Sequence, residues 1–432
     1  MLHNMSKLSG FVKNNRTTAL CILFLIFTGL SWISIFISRG GLLHNYFHTD
    51  SNDMGMDFFN VLAVSASDNI YAGDGYNYPP FCMLMMKALH YLVPAGVPSA
   101  AQMEGYASPA FYLRVYQNSA FLYLVITSLV VLLTAICVIT VMGDKCRHRD
   151  QFLACAVVLL SGPFLFMLER GNTIMFALVG TLIFVALYNS ESRISRVIAC
   201  VSLVAAASIK LYPAIFSVIL IKNRCWKEFL LFALSALICF FPPFFAFGGI
   251  SAIKGFIVGL SGFTDAYSNY GMGIQYSLKN MCDIASSLLC ESKVEINTLP
   301  LVATTLVVGL FAAIRSDSDA CSFLVLGALC VVIPSISYTY AMTFLIPGLI
   351  CLLTQKNQST FETIMTVLAL LCLATYTLPI VSTFGNSLND VKYPLYYGCL
   401  IGNLSLLGIL IASVINALAI SVKSLKKYLA RR

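Results

Sequence analysis

The sequence predicts an all-α integral membrane protein, a polytopic bundle of about 12 transmembrane helices with two long extracytoplasmic loops. Three observations predict it. Hydrophobic residues make up 59% of the 432-residue chain and charged residues only 11%, where a soluble domain carries about a quarter charged. The apolar residues fall in repeated runs near the length that crosses a hydrocarbon core, about 20 residues in a helix. The basic residues, which give a net charge of +8, sit mostly in the short breaks between those runs, where topology signals are found rather than nucleic-acid contacts.

The runs place helices near residues 17–38, 119–142, 152–168, 173–188, 197–211, 213–221, 228–247, 299–314, 320–335, 337–354, 360–380 and 396–420. The run 213–221 is too short to cross alone. It is expected to join 197–211 through Pro213 as a kinked or re-entrant pair, which a bundle interior tolerates. The first run follows Lys7, Lys13 and Arg16. It is longer than a signal-peptide core and lacks a small-residue cleavage site, so it reads as a retained helix.

Orientation follows from the basic loops. About 18 of the 27 Lys and Arg fall on one side, among them Lys145, Arg147, Arg193, Arg196, Lys222, Arg224 and the tail Lys423 to Arg432. That side is assigned to the cytoplasm, with both termini. The chain then divides into a cytoplasmic N-terminus (1–16), a membrane module (17–247) with extracytoplasmic loop 39–118, a second such loop (248–298), C-terminal transmembrane helices (299–420) and a basic cytoplasmic tail (421–432). The expected location is a cell membrane, the bacterial inner membrane, with the chain multi-pass. Most of the 15 cysteines lie inside apolar runs and act there as small hydrophobes; Cys282 and Cys290 could pair if they face an oxidising compartment. Within the first loop, Phe81 to Val93 reads as an amphipathic helix lying in the interface.

Loops this long are usually functional or disordered, and these are neither charged nor repetitive enough for disorder. The first holds Asp50, Asp53, Asp57, Asp68 and Asp74, then Tyr76-Asn77-Tyr78-Pro79-Pro80. A carboxylate at a membrane face can take a proton from a sugar hydroxyl or bind a cation; it can also simply be a solvated acidic loop. Asp57 stands out because Phe58 and Phe59 follow it, so it is expected to be partly desolvated and more basic. Asp53 and Asp50 are the alternative bases. Glu169-Arg170-Gly171-Asn172 forms a second polar point at an external turn, as interface anchors or as a compact site. Lys210 is the third. It follows Arg196 by 14 residues, about 21 Å along a helix, which places it in the outer half of the bilayer. A lysine there marks a functional site by default, with Glu169 as its expected structural partner. The three points share one depth, where a basic site beside an acidic one suits an anionic lipid headgroup and a nucleophile that must lose a proton.

Taken in order, Asp57-Phe58-Phe59, Tyr78-Pro79-Pro80, Arg170-Gly171-Asn172 and Lys210-Leu211-Tyr212-Pro213, followed by Lys222-Asn223-Arg224, resemble the GT-C superfamily of membrane glycosyltransferases. Within it they most resemble glycosyltransferase family 87, the polyprenyl-phosphate-mannose-dependent mannosyltransferases. The resemblance covers roughly residues 50–230; the second half is similar only in being hydrophobic. It implies an inverting single-displacement transfer at the outer face, from a sugar (mannose in the family) on a polyprenyl phosphate to a glycan or glycolipid acceptor. Asp57 would be the base. Lys210, Arg170, Glu169, Asn172, Tyr78 and Tyr212 would bind substrate. No cofactor is implied and a divalent metal stays open. A lipid phosphate is a good leaving group, so one carboxylate suffices where glycosidases need two. The chain lacks a Gly-rich nucleotide-phosphate loop, which fits a lipid-linked donor. The rivals are a lipid-linked polysaccharide polymerase, expected to rely on external arginines such as Arg39 and Arg114, and a flippase or transporter of lipid-linked glycan, expected to show midplane charge and repeated halves.

Overall fold

The computed structural model describes residues 16–42, 54–72, 76–93, 108–143, 146–267, 275–290, 297–355, 357–378, 380–385 and 392–430. Its helices follow the hydrophobic runs closely. Among the described residues, α1 (Arg16–Ile37), α5 (Gln117–Met142), the stretch Trp226–Phe247 and α18 (Tyr397–Leu429) are long and apolar enough to cross a membrane. The pair α6 (His148–Leu159) and α7 (Gly162–Arg170), bent by 52°, can make a fifth span. Shorter apolar helices include α8 (Ile174–Leu187), α14 (Leu299–Arg315), α15 (Asp319–Val332) and α17 (Thr360–Leu373). The chain is thus a helical membrane protein; among the described residues four helices, or five with the bent pair, have the length of a full span, and the remaining apolar helices are shorter.

Long and short helices differ in what they touch. Residues 320–332 of α15 are all buried, and so is nearly every residue of α8 up to Val185. Leu23, Leu30, Leu124, Leu132, Leu234, Ile238, Ile411 and Ile415, on the long helices, are each more than half exposed. A stable fold leaves so continuous an apolar exterior open only to lipid. The buried centre packs closely at glycines. A Cβ at Gly327 of α15 would lie 2.1 Å from the Phe344 carbonyl, and one at Gly348 would lie 2.4 Å from the Leu324 nitrogen. Glycine therefore lets the 3₁₀ segment Thr339–Leu345 and α16 (Ile346–Leu353) press onto α15. The expected span 337–354 is this pair, tighter-wound in its first half.

Among its described residues, the loop 39–118 is largely helical. It contains α2 (Met56–Ser65), α3 (Pro80–His90) and α4 (Pro109–Val115), with α2 packed against the other two. The Phe81–Val93 expectation corresponds to α3, which starts where Pro80 supplies a pre-set helical φ at the first position. Residues 248–298 are not one loop either. They include α12 (Ile250–Tyr267) and α13 (Leu278–Cys290). Gly255 and Gly259 depress helix propensity there, but Gly255 is required, because its Cβ would overlap the Tyr71 carbonyl at 1.8 Å. The Cys282–Cys290 pairing is corrected. Both lie on α13, eight residues or about 12 Å of rise apart, beyond the roughly 7 Å that a disulfide spans; Cys282 is free.

The region after α17 holds an element that hydrophobicity alone did not suggest. Ile380–Gly385 (β1) and Lys392–Tyr396 (β2) pair antiparallel, Thr383 opposite Pro394 and Gly385 opposite Lys392. Ile380, Val381 and Thr383 are β-branched, the residue type strands favour.

A candidate active site at Asp57

The site is built on two chain reversals. At the first, Gly55 takes a left-handed conformation (φ 70°) and starts α2, so Asp57 stands in the first turn, where the helix dipole favours a negative charge. Phe58 and Phe59 point into the core, packed at 5.4 Å centroid distance and both against Tyr123 of α5. At the second, α7 ends in Arg170 and Gly171 takes φ 64°. The Asn172 and Gly171 amides donate to the Met167 and Leu168 carbonyls at 3.2 and 3.1 Å, the pattern of a left-handed helix cap. The two reversals are tied together. The Gly55 amide donates to the Glu169 carbonyl at 2.7 Å, and Tyr123 donates its hydroxyl to the Leu168 carbonyl.

This arrangement gathers the expected polar residues around one carboxylate. Arg170 Nη2 donates to Asp57 Oδ1 at 2.5 Å, and Asn172 Nδ2 donates to Oδ2 at 2.7 Å. Both ends of the Asp57–Arg170 pair are largely buried, 16% and 14% exposed. Asn172 is itself buried and fixed from behind, its Oδ1 accepting from the Ile174 amide at 3.0 Å. Each carboxylate oxygen has a further lone pair, so the clasp orients Asp57 without using up its capacity to accept.

Lys210 closes another side. α9 (Arg193–Ile209) is continuous, so the rise of about 21 Å from Arg196 holds. Lys210 is its extended cap, and the chain turns back at once through the 3₁₀ segment Tyr212–Ser217 into α10 (Val218–Lys222). The 3₁₀ rise of about 2 Å per residue lengthens this short return. Lys210 Nζ sits 4.0 Å from the centre of the Tyr78 ring, a cation–π contact. The expected Glu169 partner is not the one found: among the described residues Lys210 has no carboxylate at ion-pair distance. It is nonetheless within electrostatic reach of Asp57.

Tyr78 is held from both directions. Its ring stacks on Tyr76 at 5.4 Å and its carbonyl accepts from the Tyr71 hydroxyl at 2.6 Å. Burial, then nearby Cys82 and Tyr76, push the Tyr71 phenol well above its usual range, so it remains a donor. Glu169 contributes its backbone to the clasp and acts electrostatically on Tyr123. Tyr212 stands edge-on to Phe344 at 5.4 Å. Asp53 and Asp50 lie outside the described residues. Among the described residues no three His, Cys, Asp or Glu side chains gather in a way that could hold a metal.

Two neighbours were not expected. Tyr340 stacks on Phe166 of α7 at 5.8 Å and feels the charges of both Asp57 and Arg170; Tyr338 packs against it. Both were absorbed into the apolar run 337–354. The Tyr-Thr-Tyr triplet after Pro334 was the available signal.

Tyr123 meets Gly171 and Phe58, six residues or about 9 Å of rise along α5 from its start at Gln117.

A sequence profile of glycosyltransferase family 87 matches residues 76–335, three-fifths of the chain. The chain belongs to glycosyltransferase family 87. The family match extends well beyond residue 230, so the second half shares more than hydrophobicity. It takes in Tyr78, Glu169, Arg170, Asn172, Lys210 and Tyr212 and begins after Asp57, which joins these residues through its own contacts with Arg170 and Asn172. No curated protein matches the chain. The protein is accordingly a membrane glycosyltransferase, which sets the transporter reading aside.

Proposed function

We propose that this glycosyltransferase moves a sugar, mannose, from a polyprenyl-phosphate donor to a glycan or glycolipid acceptor at the extracytoplasmic face of a cell membrane, with inversion. The observation that carries the reading is the clasp: one carboxylate, Asp57, oriented by Arg170 and Asn172, with the ammonium of Lys210 nearby.

In the proposed step an acceptor hydroxyl donates its hydrogen bond to Asp57. Its oxygen attacks the anomeric carbon from the face opposite the lipid phosphate. The new C–O bond forms as the anomeric carbon–phosphate oxygen bond breaks, the phosphate leaves with the electron pair, and the proton passes to Asp57. Such a base contributes roughly 10²–10⁴-fold. Lys210 meets the charge returning to the phosphate, and Arg170 keeps the carboxylate aimed while adding positive potential, the electrostatic contribution that grows in a water-poor site. Arg170 was expected to bind substrate; its bond to Asp57 gives it the orienting task first. The burial of the Asp57–Arg170 pair, in a bundle whose long helices expose apolar side chains, suits a donor whose chain lies in the bilayer.

The test is transfer of radiolabelled sugar from polyprenyl-phosphate mannose in proteoliposomes, with a nucleotide-linked mannose as the comparison donor. Label transfer from the lipid-linked donor alone supports the reading; transfer from the nucleotide donor alone contradicts it.

A further inference from the structure

At the opposite end of α5 a cavity carries charge that the proposed transfer does not use. From Tyr123, beside Asp57, α5 runs 19 residues to Met142, about 28 Å, close to the thickness of a hydrocarbon core, about 30 Å. There a cavity of about 270 Å³ opens between the start of α1, the α5–α6 turn and the end of α16. Arg16 and Arg147 line it beside Thr17 and Asn357, over an apolar floor that includes Met142 and Leu153. Among the described residues neither guanidinium has a hydrogen-bond or ion-pair partner in the protein. Among the described residues the one carboxylate in the wall, Asp150, is occupied: it accepts from Thr18 Oγ1 at 3.2 Å and pairs with Arg149 at 3.3 Å. Gln355 completes the wall. Its Nε2 donates to Ser318 at 3.2 Å, and its Oε1 is buried with no donor.

We propose that this cavity binds the headgroup of an anionic phospholipid from the leaflet opposite Asp57, a phosphodiester with a hydroxylated headgroup such as phosphatidylglycerol. Two free guanidiniums supply fork-shaped donors that match phosphate oxygens. The orphan Gln355 acceptor suits a headgroup hydroxyl, since a buried amide oxygen without a donor is costly. Below the cavity, Leu23 and Ile26 of α1 and Ile136 and Ile139 of α5 are exposed, an apolar surface along which acyl chains can lie. Basic pockets between membrane helices bind anionic headgroups in this manner. The site is separate from Asp57, so its test does not depend on the transfer reading.

The experiment is thermal unfolding of the purified full chain in neutral detergent, with added phosphatidylglycerol, phosphatidylcholine or inorganic phosphate. The variants are Arg16→Gln/Arg147→Gln and, as a control losing the same charge at the same end of the bundle, Lys423→Gln/Lys427→Gln. The expected result is a dose-dependent rise in Tm with phosphatidylglycerol only, with the half-saturating dose moved about tenfold or more in the arginine variant and unmoved in the lysine control. Both arginines are exposed and unpartnered, so the variant folds without lipid. Equal response of all three proteins, equal effect of phosphatidylcholine, or a rise as large with inorganic phosphate each overturns the lipid assignment.

Discussion

Arg170 binds Asp57 across 113 residues of sequence, at 2.5 Å and largely out of water. Removing one member of such a pair strands the other's charge, while removing both need not. Arg170→Met is therefore expected to destabilise the protein by about 3 kcal/mol, the lower end of the range because both groups keep some exposure. The Arg170→Met/Asp57→Asn double variant should recover much of that loss and still not transfer sugar. Denaturation midpoints of the two variants, measured with activity, check this; a double variant no more stable than Arg170→Met contradicts the pairing.

Gly171 is the second point of leverage. Its φ is 64°, and an added Cβ would lie 2.8 Å from Phe58 Cβ and 2.9 Å from the Tyr123 ring. Gly171→Ala combines backbone strain, of order 1–3 kcal/mol, with a clash between the two reversals that carry Asp57 and Asn172. The expected outcome is a lower Tm and a fall in kcat at least tenfold. Wild-type activity would show that the clasp tolerates displacement.

The Lys210–Tyr78 contact separates charge from packing. Lys210→Met should weaken donor binding about tenfold or more while the protein still folds, because no carboxylate depends on the lysine among the described residues. A Glu169→Gln change should therefore not rescue it. Tyr78→Phe keeps the ring face under the ammonium and should keep most activity; Tyr78→Leu, which removes a cation–π contact worth about 0.5–2 kcal/mol, should not. Ligand-induced stabilisation by polyprenyl-phosphate mannose reads all four; undiminished stabilisation in Lys210→Met removes the residue from the site.

The sequence carried the helices and the rise from Arg196 to Lys210 because both depend on one-dimensional quantities, apolar run length and rise per residue. Asp57, Arg170 and Lys210 were legible as separate points for the same reason, since charge is rare in an apolar chain, and Asn172 because it follows Arg170 in the same turn. Their pairing was not legible. That Arg170 meets Asp57, and that Lys210 meets Tyr78 rather than Glu169, depends on the left-handed turns at Gly55 and Gly171, which aim side chains and leave hydrophobicity unchanged. Tyr340 was hidden because a tyrosine inside an apolar run counts as apolar. Helix α12 was missed because the glycine that weakens it locally is demanded by the Tyr71 carbonyl it packs against.

Topology is open to chemistry on intact cells. Ser67 and Asn297 are exposed on the side assigned to the exterior, and Ser424 is exposed near the end of α18. No described native cysteine is fully exposed, so background labelling should be low. Ser67→Cys and Asn297→Cys should react with an impermeant maleimide from outside, and Ser424→Cys only after permeabilisation. The reverse pattern inverts the orientation and moves the Asp57 site to the cytoplasm.

The central claim is that Asp57 is the base, and single-turnover transfer from radiolabelled polyprenyl-phosphate mannose by Asp57→Asn in proteoliposomes tests it most directly. Asparagine keeps the size of the side chain and loses the proton acceptor. The rate should fall roughly 10²–10⁴-fold with donor affinity nearly unchanged, while Asp50→Asn and Asp53→Asn transfer at close to the wild-type rate. A near-wild-type rate in Asp57→Asn, or the loss appearing in Asp50→Asn or Asp53→Asn instead, contradicts the assignment.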